Sequence, residues 1–381
     1  MDCWARRALR DWRVWALAFT IQVPGVRALV RYAPWPAFLL PAAIAISILT
    51  YAASLHGPLV PWLRRWGSRP LAMAGTLCVI AAINLFAYPQ ADGLKLQGRG
   101  SDEDNALIEV ADRLVTGHRP IYVATYLGNA PSAGVGWALL VAPLAITRTY
   151  ALLTPLSLAV LVWIVRRAGG GDSGAALALL LPITSPAFWE LSVTGSDLFA
   201  IGVLFAALTA CAWRSRRWRF GEFVGVAALV VVAATTRVAF AGVTACLSIF
   251  MWRRKRPGAL MVAAATAAVV AAEMWFWWPD REGVTPLYLI AKLVRLLDEF
   301  GITVAIVAAI SSAVWASTQL DEDIATWWRG MWCLLVVPLA VISIGVLAAL
   351  GWGVADWQAA GYLEVAVAPL AAYVGMSSRP S

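Results

Sequence analysis

The chain reads as long apolar runs separated by short polar joints. A helix that crosses a membrane needs about 20 consecutive apolar residues, and about 17 can suffice. Runs that meet this requirement lie at 37–55, 71–88, 149–165, 175–190, 198–213, 258–278, 301–319, 331–350 and 361–376. The stretch 221–251 is too long for one span and carries Arg237 at its middle, so it reads as two helices, 221–236 and 238–251, that meet at one membrane face. Two further runs are marginal. Segment 14–31 contains Gln22, Pro24 and Arg27, and segment 133–147 follows Pro131 and holds two glycines before Arg148. The pattern predicts an all-α polytopic membrane protein of about 11–12 transmembrane helices, with no internal repeat and no cleavable leader.

Composition supports that reading. Of 381 residues, 61% are hydrophobic and 14% charged, and the mean hydropathy is +0.73. Soluble domains average about 45–50% apolar and about 25% charged residues, so a soluble enzyme and a disordered chain are both excluded. The 21 tryptophans suit the interfacial belts of a membrane protein. The net charge of +8 reports topology, because Lys and Arg gather on the cytoplasmic side, and implies no nucleic-acid partner. Five separate cysteines and two histidines form no metal-ligand spacing.

Arginine clusters at 64–69, 166–167, 214–219 and 253–256 mark the expected cytoplasmic face. Two topologies are compatible with them. In the first, 14–31 spans, 133–147 is re-entrant and loop 89–134 faces outward. In the second, 14–31 lies in the interface, 133–147 spans and that loop is cytoplasmic. Counting Lys and Arg slightly favours the second. From residue 166 onward the two agree, and both place Ser192–Asp197, the Thr236–Arg237 junction and segment 279–300 outside.

Loop 89–134 is the longest hydrophilic stretch. Ala106, Leu107, Val110, Ala111 and Leu114 recur at three and four, which predicts an amphipathic helix. Ser101 and Asp104 resemble a capping box, and Gly117 is a natural stop. Asp102, Glu103 and Asp104 then fall on the first turn, where the helix dipole favours ionised carboxylates. Such a carboxylate can accept a proton from an attacking hydroxyl, or can simply cap a surface helix. Arg237, at a bilayer surface, suits a phosphate, with snorkelling as the plainer alternative. Lys292 and Arg295 share a face of the amphipathic segment 286–300, as phosphate contacts or surface anchors. Asp197, Glu190 and Glu273 sit near outer helix ends. Trp189, Trp275, Trp277 and Trp278 are candidates for stacking on sugar or prenyl groups, although interface belts account for such residues without a ligand.

The order of these features resembles the first periplasmic loop of GT-C superfamily glycosyltransferases. An acidic cluster precedes an amphipathic helix, a glycine, Pro120-Ile121-Tyr122 and an apolar stretch containing Pro and Gly. Polyprenyl-phosphate-mannose-dependent mannosyltransferases of glycosyltransferase family 87 are most similar. WELSVTGSDLFAIGVLFAAL resembles that family's outer loop, with Gly195-Ser196 where Gly-Gln is usual. ATTRVAFAGVTACLSIFMWRRKRPGAL resembles its broken helix pair, with Arg237-Val238 where Lys-Pro is usual.

The resemblance covers residues 71–280 and favours the first topology. It implies a catalytic module there, between N-terminal helices over 1–70 and an interfacial helix plus C-terminal spans over 281–381. It implies sugar transfer in a cell (inner or plasma) membrane, with the site extracytoplasmic. The donor is a polyprenyl-phosphate sugar, mannose by resemblance, and the acceptor a glycolipid or glycan. Asp102 is the expected base, with Asp104 its substitute; Arg237, Lys292 and Arg295 are expected at the donor phosphate; Glu103, Asp197 and Trp189 are expected at the substrate. No metal ligands are assigned, although a divalent cation is compatible with the acids. A transporter or lipid flippase, and a non-catalytic envelope-assembly scaffold, are the alternative functions.

Overall fold

A computed structural model describes residues 10–32, 39–94, 102–215, 219–278, 288–354 and 357–377. Ser101 of the expected capping box, Arg216 and Arg217, and the first part of segment 279–300 lie outside the described residues. Among the described residues every regular element is helical.

The N-terminal run is continuous. Helix α1 (Trp12–Leu17) passes through a π-helical turn, Ala18–Gln22, into α2 (Val23–Tyr32). Val14, Leu17, Ile21, Gln22 and Arg27 are buried, whereas Trp12, Trp15 and Phe19 are exposed. The polar residues that make this run marginal by hydropathy therefore face protein: the Gln22 amide donates to the Tyr51 hydroxyl at 2.7 Å, and Arg27 forms a buried ion pair with Glu190.

Helices α3 (Leu39–His56) and α4 (Leu59–Gly67) follow, then α5 (Pro70–Gly93) and α6 (Glu103–Thr116). After a loop come α7 (Val135–Ile146), α8 (Leu153–Arg167), α9 (Gly171–Ile183), α10 (Pro186–Val193) and α11 (Leu198–Arg214). The remaining helices are α12 (Phe220–Thr236), α13 (Val238–Met251), α14 (Arg256–Trp277), α15 (Tyr288–Thr318), α16 (Ile324–Ala349) and α17 (Val367–Ser377).

Among the described residues six helices, counting α17 with the 3-10 turn before it, are long and apolar enough to cross a membrane, or eight if two bent pairs are each one span. On α5, Leu71, Val79, Ile83 and Phe86 are exposed while Met73, Ile80 and Asn84 face the protein. A greasy outward face of this extent belongs in lipid. The chain is a multi-pass membrane protein. Two features separate these six to eight candidates from the expected 11–12. Four apolar helices, including α7 and α12, have only 10–17 residues. The expected span 175–190 is broken: α9 and α10 are bent by 72°. The break is written in the sequence, because Pro186 opens α10 and the Ser185 hydroxyl accepts from the Phe188 N–H, an N-cap that ends one helix and starts another.

Among the described residues, beside two clusters of three buried residues each, two large hydrophobic cores form. One joins Val14, Leu17, Tyr51, Leu161, Leu179, Trp328 and Val374. The other joins Leu107, Trp137, Phe205, Phe250, Met331 and Leu363. The segment Ala359–Ser377 runs between them and is 83% buried. Its small residues permit this. Gly375 meets Gly174 of α9 so closely that a Cβ on Gly174 would lie 2.5 Å from the Gly375 carbonyl oxygen, the close backbone approach that small residues allow in membrane interiors.

Candidate active site

Helix α6 ends where the sequence predicts, at Gly117 (φ 72°), but its N-cap position is Asp102, one residue later than the expected Ser101, and the Asp102 side chain makes no capping bond. Leu107, Val110 and Ala111 are its buried face. Successive residues on a helix point about 100° apart, so the three acids of the first turn go to three places. Asp104 turns inward, is 1% exposed, and accepts from the Tyr88 hydroxyl at 2.6 Å. Asp102 Oδ2 accepts from the Thr125 hydroxyl and from the Asn129 amide. A tight turn presents both donors: the Thr125 N–H reaches the Asn129 carbonyl, and Gly128 takes φ 77° between them. Both bonds fall on Oδ2.

Glu103 points toward α11 and α13, bonded to the Ser196 hydroxyl. Its carboxylate is buried although the residue as a whole borders a cleft. Burial pushes this carboxyl above its ordinary 4.5, while the Ser196 hydroxyl and the Arg237 and Arg27 guanidiniums pull it down. Gly195 makes the approach possible. It has φ 77°, and a Cβ there would lie 2.6 Å from the Asp104 Cβ.

Arg237 stands in extended conformation between α12 and α13. Asp197 holds it bidentately, Nη1 to Oδ2 at 2.9 Å and Nη2 to Oδ1 at 2.6 Å. Nη1 also donates to the Thr236 carbonyl at 2.7 Å. The pair is buried. A third donor, the Trp137 indole N–H, reaches Asp197 Oδ2 at 2.6 Å. Trp137 is fixed in turn by the start of α7. The Trp137 and Gly134 N–H groups donate to the Thr235 hydroxyl and carbonyl, and the Val135 N–H donates to Glu273 at 2.9 Å. Glu273 thus caps α7 from α14, satisfying N–H groups that a helix start leaves open.

Asp102, Glu103, Asn129, Arg237, Lys292 and Tyr362 line one cleft of about 370 Å³. Leu293, Leu296, Val346 and Leu350 form its apolar wall. Helix α15 supplies part of that wall because its backbone breaks at Asp298 (φ 54°, ψ −177°), which separates the arm bearing Lys292 from the rest. The N-terminal ends of α6, α11 and α13 all point to this region, through Asp102, Asp197 and Arg237, and helix N-termini favour anions.

The remaining expected residues lie elsewhere. Asp104 is beneath the cleft rather than in its lining. Asp197 serves as the holder of Arg237. Arg295 is exposed, with Nε donating to the Ala291 carbonyl at 3.3 Å, and only Lys292 of this pair lines the cleft. Trp189 donates to the Ile183 carbonyl at 2.9 Å across the α9–α10 bend and packs edge-on against Phe188. Trp277 donates to the Tyr122 hydroxyl at 2.8 Å. No group of three or more His, Cys, Asp or Glu that could hold a metal ion occurs among the described residues. Trp137, Thr125, Asn129 and Tyr362 were missed by sequence reasoning, and nothing in their local spacing marks them; Ser196 was noted only within the outer-loop motif Gly195-Ser196. Arg27 and Glu190 carried a usable signal: opposite charges in two separate apolar runs tend to pair.

No protein-family model, no curated protein and no solved structure matches the chain.

Proposed function

We propose that this protein is an integral membrane glycosyltransferase of GT-C type that moves a sugar, mannose in the first instance, from a polyprenyl-phosphate donor to a lipid or glycan acceptor. The observation that carries the proposal is the composition of the cleft: the acids Asp102 and Glu103 and the cations Arg237 and Lys292 border the same space as an apolar surface of Leu293, Leu296, Val346 and Leu350. A lipid-linked sugar phosphate combines the same polar and apolar parts. The prenyl tail lies along Leu293, Leu296 and Val346, and the phosphate meets Arg237 and Lys292.

Asp102 takes the proton of the acceptor hydroxyl as its oxygen bonds to the anomeric carbon. The bond between that carbon and the phosphate oxygen breaks, and the phosphate leaves with the electron pair. Arg237 and Lys292 offset the charge that develops on it, a contribution that is large in a water-poor site. Thr125 and Asn129 fix Asp102 through Oδ2, and Oδ1 then faces the hydroxyl. Direct transfer of this kind inverts the anomeric centre, as the resemblance to family 87 implies. The cleft opens on the extracytoplasmic side, as in the first topology.

A second reading has specific support. Bent helices and buried charges within a bundle are features of transporters and flippases, and the α9–α10 bend and the Arg27–Glu190 pair are of that kind. The two readings separate in an assay with labelled polyprenyl-phosphate mannose. Transferase membranes make a labelled glycoside, and Asp102→Asn lowers its rate by about 10²–10⁴-fold, the usual contribution of a general base. Near-normal transfer by Asp102→Asn removes it as the base.

A further inference from the structure

Helices α11 and α13 begin at the candidate active site and end at a second cleft. Their 17 and 14 residues give lengths of about 25 and 21 Å, so the second cleft lies at the opposite end of the bundle. It has a volume of about 1170 Å³, and its walls include Arg167, Arg214, Arg254, Trp213, Trp327 and Glu322. We propose that it binds a ligand through a single phosphate group, a site separate from sugar transfer and independent of that reading.

The walls are fixed before any ligand arrives. The Trp213 indole N–H donates to the Glu322 carbonyl at 2.7 Å, and the Trp327 indole N–H to the Asp321 carbonyl at 3.1 Å. Lys255 donates to the Ala212, Trp213 and Ser215 carbonyls and stands over the Trp327 ring. The C-terminal carbonyls of α11 are thereby satisfied without help from the arginines. Three separate elements then deliver guanidiniums to the same space: Arg167 from the end of α8, lying over the Trp163 ring, Arg214 from the end of α11, and Arg254 from the turn after α13. The only hydrogen bond that Arg254 makes among the described residues is to the Leu320 carbonyl. None of the three pairs with a carboxylate there, although Asp321 and Glu322 border the same cleft. Asp321 instead accepts from the Glu322 N–H at 2.8 Å. Planar forks left open in a walled cleft match the oxygens of a phosphate ester. The two acids temper the positive field, which suits one phosphate better than a polyphosphate.

The phosphate can belong to a membrane lipid or to a soluble ester. Native mass spectrometry of the detergent-purified full chain with phosphatidylglycerol, against a galactolipid that has no phosphate, tests the first source. Calorimetric titration with glycerol phosphate tests the second. Arg214→Gln/Arg254→Gln should weaken binding of whichever probe binds by tenfold or more, with the thermal midpoint unchanged. Arg65→Gln, outside the cleft, should bind as the wild type does. Binding of phosphatidylglycerol alone identifies a lipid headgroup, and binding of glycerol phosphate identifies a soluble ester. Failure of both probes to bind, or equal losses in Arg65→Gln, overturns the proposal. Neither outcome depends on whether the protein transfers sugar.

Discussion

Asp197 shows how a single carboxylate can organise a site that it does not open onto. It receives two donors from Arg237 and one from Trp137, so a buried guanidinium is held rigid at the cleft edge. Removing one member of such a pair strands the other charge, which costs about 3–5 kcal/mol. Asp197→Ala should therefore lower stability by about that amount in denaturant unfolding, and Asp197→Ala/Arg237→Ala by clearly less. A double-variant loss equal to the sum of the Asp197→Ala and Arg237→Ala losses would mean the pair is not coupled. Glu103 makes a different prediction. Because burial raises its carboxyl above 4.5, the folded protein keeps that proton longer than the unfolded chain does. Its contribution is most favourable below pH 4.5 and declines as pH rises toward the folded value. Glu103→Gln should flatten this decline in a series of thermal midpoints against pH; an unchanged slope would show that Glu103 does not titrate as its burial demands.

At the scale of elements, helix ends do most of the positioning. Asp102, Asp197 and Arg237 all sit where a helix begins, and Glu273 closes the start of α7 from a distance. Ser185 is the simplest case to test. Its hydroxyl caps α10 at the 72° bend, so Ser185→Ala should cost about 0.5–2 kcal/mol of stability; no loss by denaturant unfolding would show that Pro186 sets the bend alone. The amphipathic helix α6 was legible in the sequence to within its caps, because its periodicity and Gly117 are local signals. The bend at Ser185 was equally local, yet it lies inside a run whose hydropathy is uninterrupted, and hydropathy outweighed it. Trp137 and Tyr362 could not be found this way. Their partners are 60 and 125 residues distant in sequence, and an indole or phenol in an apolar run looks like any other interfacial aromatic residue.

On the scale of the whole molecule, the apolar pattern announced the membrane, and six to eight of its runs form helices long and apolar enough to cross one among the described residues. The four apolar helices of 10–17 residues count as spans by hydropathy and fall at or below the minimum length for one. The Arg27–Glu190 pair buries a polar N-terminal run against α10, and the first topology makes that run a span. That topology also places α6 outside. Val115, 53% exposed on α6, offers a direct check: Val115→Cys in a cysteine-free background should react with a membrane-impermeant thiol reagent in intact cells. Labelling only after lysis would put the loop, and the cleft with it, on the cytoplasmic side. The central claim is sugar transfer, and the measurement closest to it uses purified protein in liposomes that carry labelled polyprenyl-phosphate mannose and an extract of membrane glycolipids. The account predicts that label appears in a new glycosidic bond, and that Asp102→Asn slows this by at least about a hundredfold. Label that crosses the bilayer with its phosphate bond intact, at equal rates in the wild type and Asp102→Asn, would contradict it.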